Sequence, residues 1–171
     1  HIVMKGNVKR KPLIGFLGSL TWWQGADILV KAVVILTKKY STPVRLIIIG
    51  DGPLRQVIES ALKVANIDYK ITGFLPHISA LKLLSRVDAL VAPRKRISST
   101  ECNIPIKIIE AWALGIPVIV TKHRIFVAMG LRDGEHVVYC QPNPHSVAHA
   151  IYRVLTNAEL KNKLSLNGPN I

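Results

Sequence analysis

Glu101, Lys107 and Glu110 are the residues of this chain whose types and spacing most suit chemistry. They interrupt an otherwise apolar run, Glu101-Cys-Asn-Ile-Pro-Ile-Lys107-Ile-Ile-Glu110-Ala-Trp-Ala-Leu-Gly115-Ile-Pro-Val-Ile-Val120. A carboxylate supplies hydrogen-bond acceptors and an ammonium supplies donors and charge, so such groups gathered at one cleft would bind a polar, charged ligand. Lys107 and Glu110 stand three apart, which puts them on one face of a helix. On a polar helix they would form a solvated ion pair worth about 0.2–0.5 kcal/mol. Here the other positions are Ile, Ala, Leu and Trp, and the lack of further charge favours a cleft face that binds something.

The elements that must position these residues follow from local pattern. Pro105 suits the first helical position, where its missing N–H costs nothing, and Gly115 suits the residue just past the end, so Pro105 to Leu114 reads as a short helix. Val118-Ile-Val then reads as a buried strand. Upstream, Leu13–Leu17, Val44–Ile49, the segment from Tyr69 to Thr72, and Ala89–Ala92 read as strands, and His136–Cys140 as a sixth. Between them come a loop from Gly18 to Gly25, a helix carrying Ile28, Leu29, Ala32, Val33 and Leu36 at helical spacing, a helix from Leu54 to Ala65, and one from Ile78 to Ser85. A helix from His145 to Leu155 and a short one to Leu166 end the pattern. Near-continuous apolar strands alternating with amphipathic helices predict an α/β fold: a Rossmann-like doubly wound parallel sheet of about six strands with helices on both faces.

Composition bounds the rest. The 171 residues suffice for one domain, taken as 12–171 after a basic linker over 1–11. The chain begins at His1 rather than Met, as a piece of a longer protein would. Hydrophobic residues make up 49 %, which excludes a disordered chain. No apolar run approaches the ~18 residues of a membrane span, and no signal-peptide pattern opens the chain. Lys and Arg number 23 against 10 acidic residues, a net charge of +13, which favours anionic partners: nucleic acid, phosphorylated small molecules or a membrane surface. Cys102 and Cys140 lack CxxC spacing, so neither a disulfide framework nor a zinc site is expected, and a cytoplasmic setting is simplest. The histidines read as surface residues rather than metal ligands, and no metal site is expected.

In doubly wound sheets, ligands sit beyond the carboxyl ends of the strands, where strand order reverses. Four loops leave such ends, at 18–25, 50–53, 73–77 and 93–105, and the helix N-termini after them would offer N–H groups to a phosphate. Arg94-Lys95-Arg96 and Ser98-Ser-Thr100 lie in the last. Gly50-Asp-Gly-Pro53 lacks the third glycine of GxGxxG, and neither GxxxxGK[ST] nor GxSxG occurs, which excludes the dehydrogenase, P-loop and hydrolase signatures.

Six segments in order carry a resemblance: Gly18-Ser-Leu-Thr-Trp-Trp-Gln-Gly25-Ala-Asp27, Gly50-Asp-Gly-Pro53, Gly73-Phe-Leu-Pro76, Asp88-Ala-Leu-Val-Ala-Pro93, Pro105-Ile-Lys107-Ile-Ile-Glu110-Ala-Trp-Ala-Leu-Gly115-Ile-Pro117, and Asp133-Gly134. Together they resemble the C-terminal, donor-binding half of family-4 retaining glycosyltransferases of the GT-B architecture, over residues 13–166. The resemblance implies a nucleotide-sugar donor (UDP-, GDP- or ADP-sugar), no required cofactor, and transfer to a glycan, lipid or glycoconjugate. It implies that Glu110 binds the ribose hydroxyls and that Glu101 approaches the donor sugar. The loop of Cys102, Asn103 and Ile104 would hold sugar and phosphates through backbone N–H groups. Gly73, Phe74 and Leu75 would meet the base, with Gly18 and Gly52 at the phosphate loops.

Three departures from the family pattern accompany the resemblance. Ser19 stands where the family usually has Arg, and Gln24 where it has Lys, both of which neutralise the diphosphate; Lys107 and Arg94 to Arg96 are the candidate replacements. Glu101 and Glu110 are nine apart instead of eight, and Cys102 takes the strict position. The N-terminal acceptor domain, which carries the catalytic histidine, is not in this chain, so no histidine here inherits that role and the fragment alone would be inactive. The full-length enzyme would work in the cytoplasm or against the inner face of the membrane. A nucleotide-binding module without transfer is the alternative; a nucleic-acid-binding domain rests on charge alone, since Trp22 and Trp23 point apart if extended and core packing of one ring accounts for them.

Overall fold

Six short strands pair in parallel; the inner ones, rich in Ile, Val, Leu and Ala, are apolar on both faces and need helices on both sides, while the edge strand over Asp68–Ile71 leaves Asp68 and Lys70 exposed. The computed structural model describes residues 10–168, so most of the expected basic linker lies outside the described residues. The strands are β1 (Leu13–Leu17), β2 (Arg45–Ile49), β3 (Asp68–Ile71), β4 (Ala89–Ala92), β5 (Val118–Thr121) and β6 (Val138–Cys140). The helices are α1 (Ala26–Lys38), α2 (Arg55–Val64), α3 (His77–Leu84), α4 (Ser98–Glu101), α5 (Ile106–Ala113), α6 (Arg124–Ala128), α7 (Pro144–Thr156) and α8 (Ala158–Asn167). The sheet order is β3-β2-β1-β4-β5-β6, with every pairing parallel. This is the expected Rossmann-like doubly wound sheet.

Successive strand residues face opposite cores. Ile14, Phe16, Leu46, Ile48, Ala89, Val91 and Ile119 join the core formed with α1, α2, α7 and α8. Ile47, Ile49, Leu90, Ala92, Val118 and Val120 join the one formed with α3, α5 and α6. Local signals set the helix ends: the Asn143 side chain accepts from the Ser146 N–H at 2.9 Å, with Pro144 opening α7.

Two expectations about the central helix shift. Pro105 is the residue before α5, with ψ 136°, and its carbonyl accepts from Ile108 N–H at 3.0 Å; the first helical position is Ile106. Gly115 does follow the helix end, at φ +68°. Helical turn α4 lies in the stretch read as the 93–105 loop and α6 in one given no element, and both are too short to show a helical period. Thr100 shapes α4, its hydroxyl accepting from Ile97 N–H at 3.0 Å and donating to the Lys95 carbonyl at 2.6 Å.

Candidate functional site

Strand order reverses between β1 and β4, so the crevice at their carboxyl ends is where a ligand belongs. The β1–α1 loop is held there by close backbone approach. Gly25, at φ +85°, leaves no room for a side chain, because a Cβ would stand 2.1 Å from the Pro93 carbonyl oxygen. Gly18, at φ +148°, lets the Lys107 amine come up against the strand end, where a Cβ would meet Nζ at 2.9 Å. Alpha-helix α5 enters the same place from the β4–β5 crossover.

A cavity of about 470 Å³ opens there, lined by Leu17, Gly18, Gln24, His77, Pro105, Ile106, Lys107 and Glu110. Lys107 and Glu110 therefore share a cleft face, but they are not partners of each other. Lys107 Nζ donates to Gln24 Oε1 at 3.1 Å and lies 5.2 Å from the centroid of the Phe16 ring. Only 7 % of Lys107 is exposed. Burial, with the nearby Arg94 charge second, pushes its pKa down to about 7. Glu110, half-buried on the next turn, turns to His77 at the start of α3, whose Nε2 contacts Glu110 Oε1.

Arg94 closes the β4 side. Its Nη1 donates to the Asn103 carbonyl at 3.3 Å, its guanidinium lies 5.8 Å from the Trp23 ring centroid, and its Nε is buried without a partner among the described residues. Burial lowers its pKa. The tandem tryptophans are loop features under cations, with Lys95 Nζ 5.7 Å from the Trp22 ring centroid. Trp22 is 58 % exposed and Trp23 joins neither core, so core packing of one ring is corrected.

A second polar cluster surrounds Glu101 at the end of α4. Its Oε2 accepts from the Arg124 N–H at 2.8 Å, and its Oε1 accepts from Arg96 Nη1 at 3.0 Å. These bonds, the backbone one foremost, hold its pKa down to about 2. His123 Nδ1 approaches Oε1 at 3.4 Å, a close electrostatic contact without hydrogen-bond direction, and neither ring nitrogen has a hydrogen-bond partner among the described residues. His123 is 1 % exposed, which corrects its reading as a surface residue. Burial lowers its pKa and favours the neutral ring.

The structure thus brings Gly18, Gln24, Lys107 and Glu110 together in one cavity, with Arg94 beside it. Ser19, Phe74 and Leu75 line an adjoining cavity of about 180 Å³ that shares Gly18. Gly52 and Gly73 sit beyond β2 and β3 at the same edge. Cys102, Asn103 and Ile104 form the link from α4 to α5, and Glu101 lines neither cavity. His77, His123 and the Arg124 N–H were not anticipated. A lone histidine has no periodic signature; His77 meets a partner 33 residues away. Both cysteines are free thiols. Among the described residues, no group of three or more His, Cys, Asp or Glu could hold a metal ion, and no helix is long and apolar enough to cross a membrane.

Comparison with known proteins gives the family and the fold. The family model described as "Glycosyl transferases group 1" matches residues 11–157. A 2-deoxystreptamine N-acetyl-D-glucosaminyltransferase of Niallia circulans is 28% identical, over 96% of this chain and 41% of that protein. The alpha-monoglucosyldiacylglycerol synthase of Acholeplasma laidlawii is 30% identical, over 81% of this chain and 33% of its own length. The chain spans about two fifths or less of the curated relatives it matches. Among solved structures, the C-terminal domain of a group 1 glycosyl transferase, LpcC of Francisella tularensis, superposes with a TM-score of 0.78 at 21% identity, covering 94% of this chain and 83% of that one. HepE of Anabaena, solved in complex with UDP-glucose, gives 0.77 at 17% identity, covering 92% of this chain and 43% of that one.

Proposed function

The chain belongs to the glycosyl transferases group 1 family, and from that premise we propose that residues 12–171 are the nucleotide-sugar donor-binding half of a retaining glycosyltransferase. The observation that carries this reading is the pairing of Lys107 and Glu110 in one cavity at the point where strand order reverses. Glu110 has the acceptor capacity to take both ribose hydroxyls, with charge-assisted bonds worth roughly 1.5–3 kcal/mol each. Its carboxylate is only 16 % exposed and already directed into the cavity region by His77.

Lys107 and Arg94 supply the positive charge that Ser19 and Gln24 do not. As the bond between the anomeric carbon and the diphosphate breaks, negative charge gathers on the leaving oxygen. A desolvated cation fixed nearby stabilises that charge more than one in water. Asn103 and Ile104, between the two carboxylates, hold the donor through their N–H groups. Glu101 acts on the donor sugar through its place at the end of α4. Gly73, Phe74 and Leu75 face the base.

The acceptor, a glycan, lipid or glycoconjugate, docks on a second domain of the longer protein. The other side of the transfer cleft therefore lies outside this chain, and the isolated 171 residues bind donor without transferring sugar. The enzyme works in the cytoplasm or at the inner membrane face, with no specific nucleic-acid partner and no required cofactor. A binding module that holds a nucleotide sugar without transfer is the second reading, favoured by the neutral Ser19 and Gln24.

Calorimetric titration with UDP-glucose, GDP-mannose and ADP-glucose tests the donor assignment. One of the three should bind saturably with one site per chain; no binding by any would sink it. Joined to the remainder of its own protein, the chain should give a product with the donor's anomeric configuration by NMR, and an inverted product would remove the retaining assignment.

A further inference from the structure

Among the described residues, no carboxylate forms an ion pair with the Lys107 amine. Its amine is buried, stacked near an aromatic ring, and hydrogen-bonded to a neutral amide oxygen. The one carboxylate within reach along its helix, Glu110, is engaged by His77 from α3. From the β4 side the neighbouring charge is Arg94, which repels it. From β1 and its loop the groups that meet it are Phe16, Gly18 and Gln24, none of them charged. Lys107 lines the cavity all the same, beside Gly18 and Gln24, two residues its amine approaches.

A diphosphate entering that cavity would change its surroundings in one direction. It brings negative charge and hydrogen-bond acceptors to an amine that has one acceptor and a like-charged neighbour, and both changes favour the protonated form. We propose that donor binding at this site takes up one proton at Lys107, so that the ligand itself completes the cation that holds its diphosphate. The proposal rests on the donor-site reading above and adds its regulation: occupancy is coupled to pH through a single lysine. The free amine, with its pKa pushed down to about 7, is largely neutral at pH 8 and largely charged at pH 6.

The linkage has a fixed sign. Ligand binds the protonated site, so affinity falls as pH rises through the free-state value, by roughly tenfold between pH 6 and pH 8. A nucleoside, lacking the diphosphate, should not feel this lysine. A nucleotide sugar is the right probe because its diphosphate, esterified at both ends, has no proton of its own to exchange in this range.

The experiment is calorimetry of the 171-residue chain with UDP-glucose, GDP-mannose and ADP-glucose, each in two buffers of different ionisation enthalpy. The expected uptake is about one proton at pH 8 and close to none at pH 6, abolished at both in Lys107→Met and in Lys107→Arg. Lys107→Arg should bind equally well at both pH values, and Lys107→Met equally poorly. Circular dichroism confirms that each variant is folded. Binding without proton uptake at pH 8 would overturn the inference and leave the donor site standing. Uptake that persists in both variants would move the proton to another group of the cavity, His77 foremost, and also overturn it. Failure of all three nucleotide sugars to bind the unaltered chain would remove the donor reading and this inference with it.

Discussion

Burying the Lys107 amine costs the folded chain stability, because the unfolded chain keeps its proton up to about 10.5 while the folded chain gives it up near 7. That cost is greatest below pH 7 and fades as pH rises towards 10.5. Lys107→Met should therefore raise the melting temperature at pH 6, by a stabilisation on the order of 1–3 kcal/mol, while weakening diphosphate ligands. A destabilised Lys107→Met would mean that the amine serves structure. Glu101 has the opposite sign. Its folded pKa, about 2 against an ordinary 4.5, makes its contribution full above pH 4.5 and lost as pH falls through 2. Acid unfolding of Glu101→Gln should lose part of its pH dependence in that window; an unchanged acid midpoint would show that the Arg124 and Arg96 contacts add nothing. Lys107 and Glu110 were legible in the sequence because charge is conspicuous on an apolar helix. Their real partners, Gln24 and His77, were not, since those contacts cross 83 and 33 residues.

The elements that hold the site are strands whose ends could be read and loops whose shape could not. Strands β1 and β4 are short apolar runs bounded by Gly, Pro or polar residues, so both were legible to the residue. Turns α4 and α6 were hidden because four or five residues cannot display a period. Between these elements a tight joint is Gly25 against Pro93, where a side chain would collide with backbone instead of a movable neighbour. Gly25→Ala should cost several kcal/mol, roughly 2–4, from the collision and the left-handed backbone together. It should lower affinity for nucleotide as well, because the loop carrying Gly18 and Gln24 would be displaced. A stable, fully binding Gly25→Ala would show that the loop is not held by this contact.

At the scale of the molecule, the order of six weak motifs and the alternation of strands and helices identified the architecture, while the charge of +13 alone could not choose a partner. If that charge serves phosphate recognition and solubility, oligonucleotide binding should be weak, sequence-blind and lost as salt rises from 50 to 200 mM. Tight, sequence-selective binding at physiological salt would favour a nucleic-acid role instead. The central claim, that one cleft reads the two ends of a nucleoside diphosphate with two different residues, is tested most directly by titrating nucleoside and nucleotide sugar against Glu110→Gln. The substitution keeps shape but removes charge assistance, so both ligands should lose roughly ten- to hundredfold in affinity, about 1.5–3 kcal/mol. Unchanged nucleoside affinity in Glu110→Gln would contradict the account at its base.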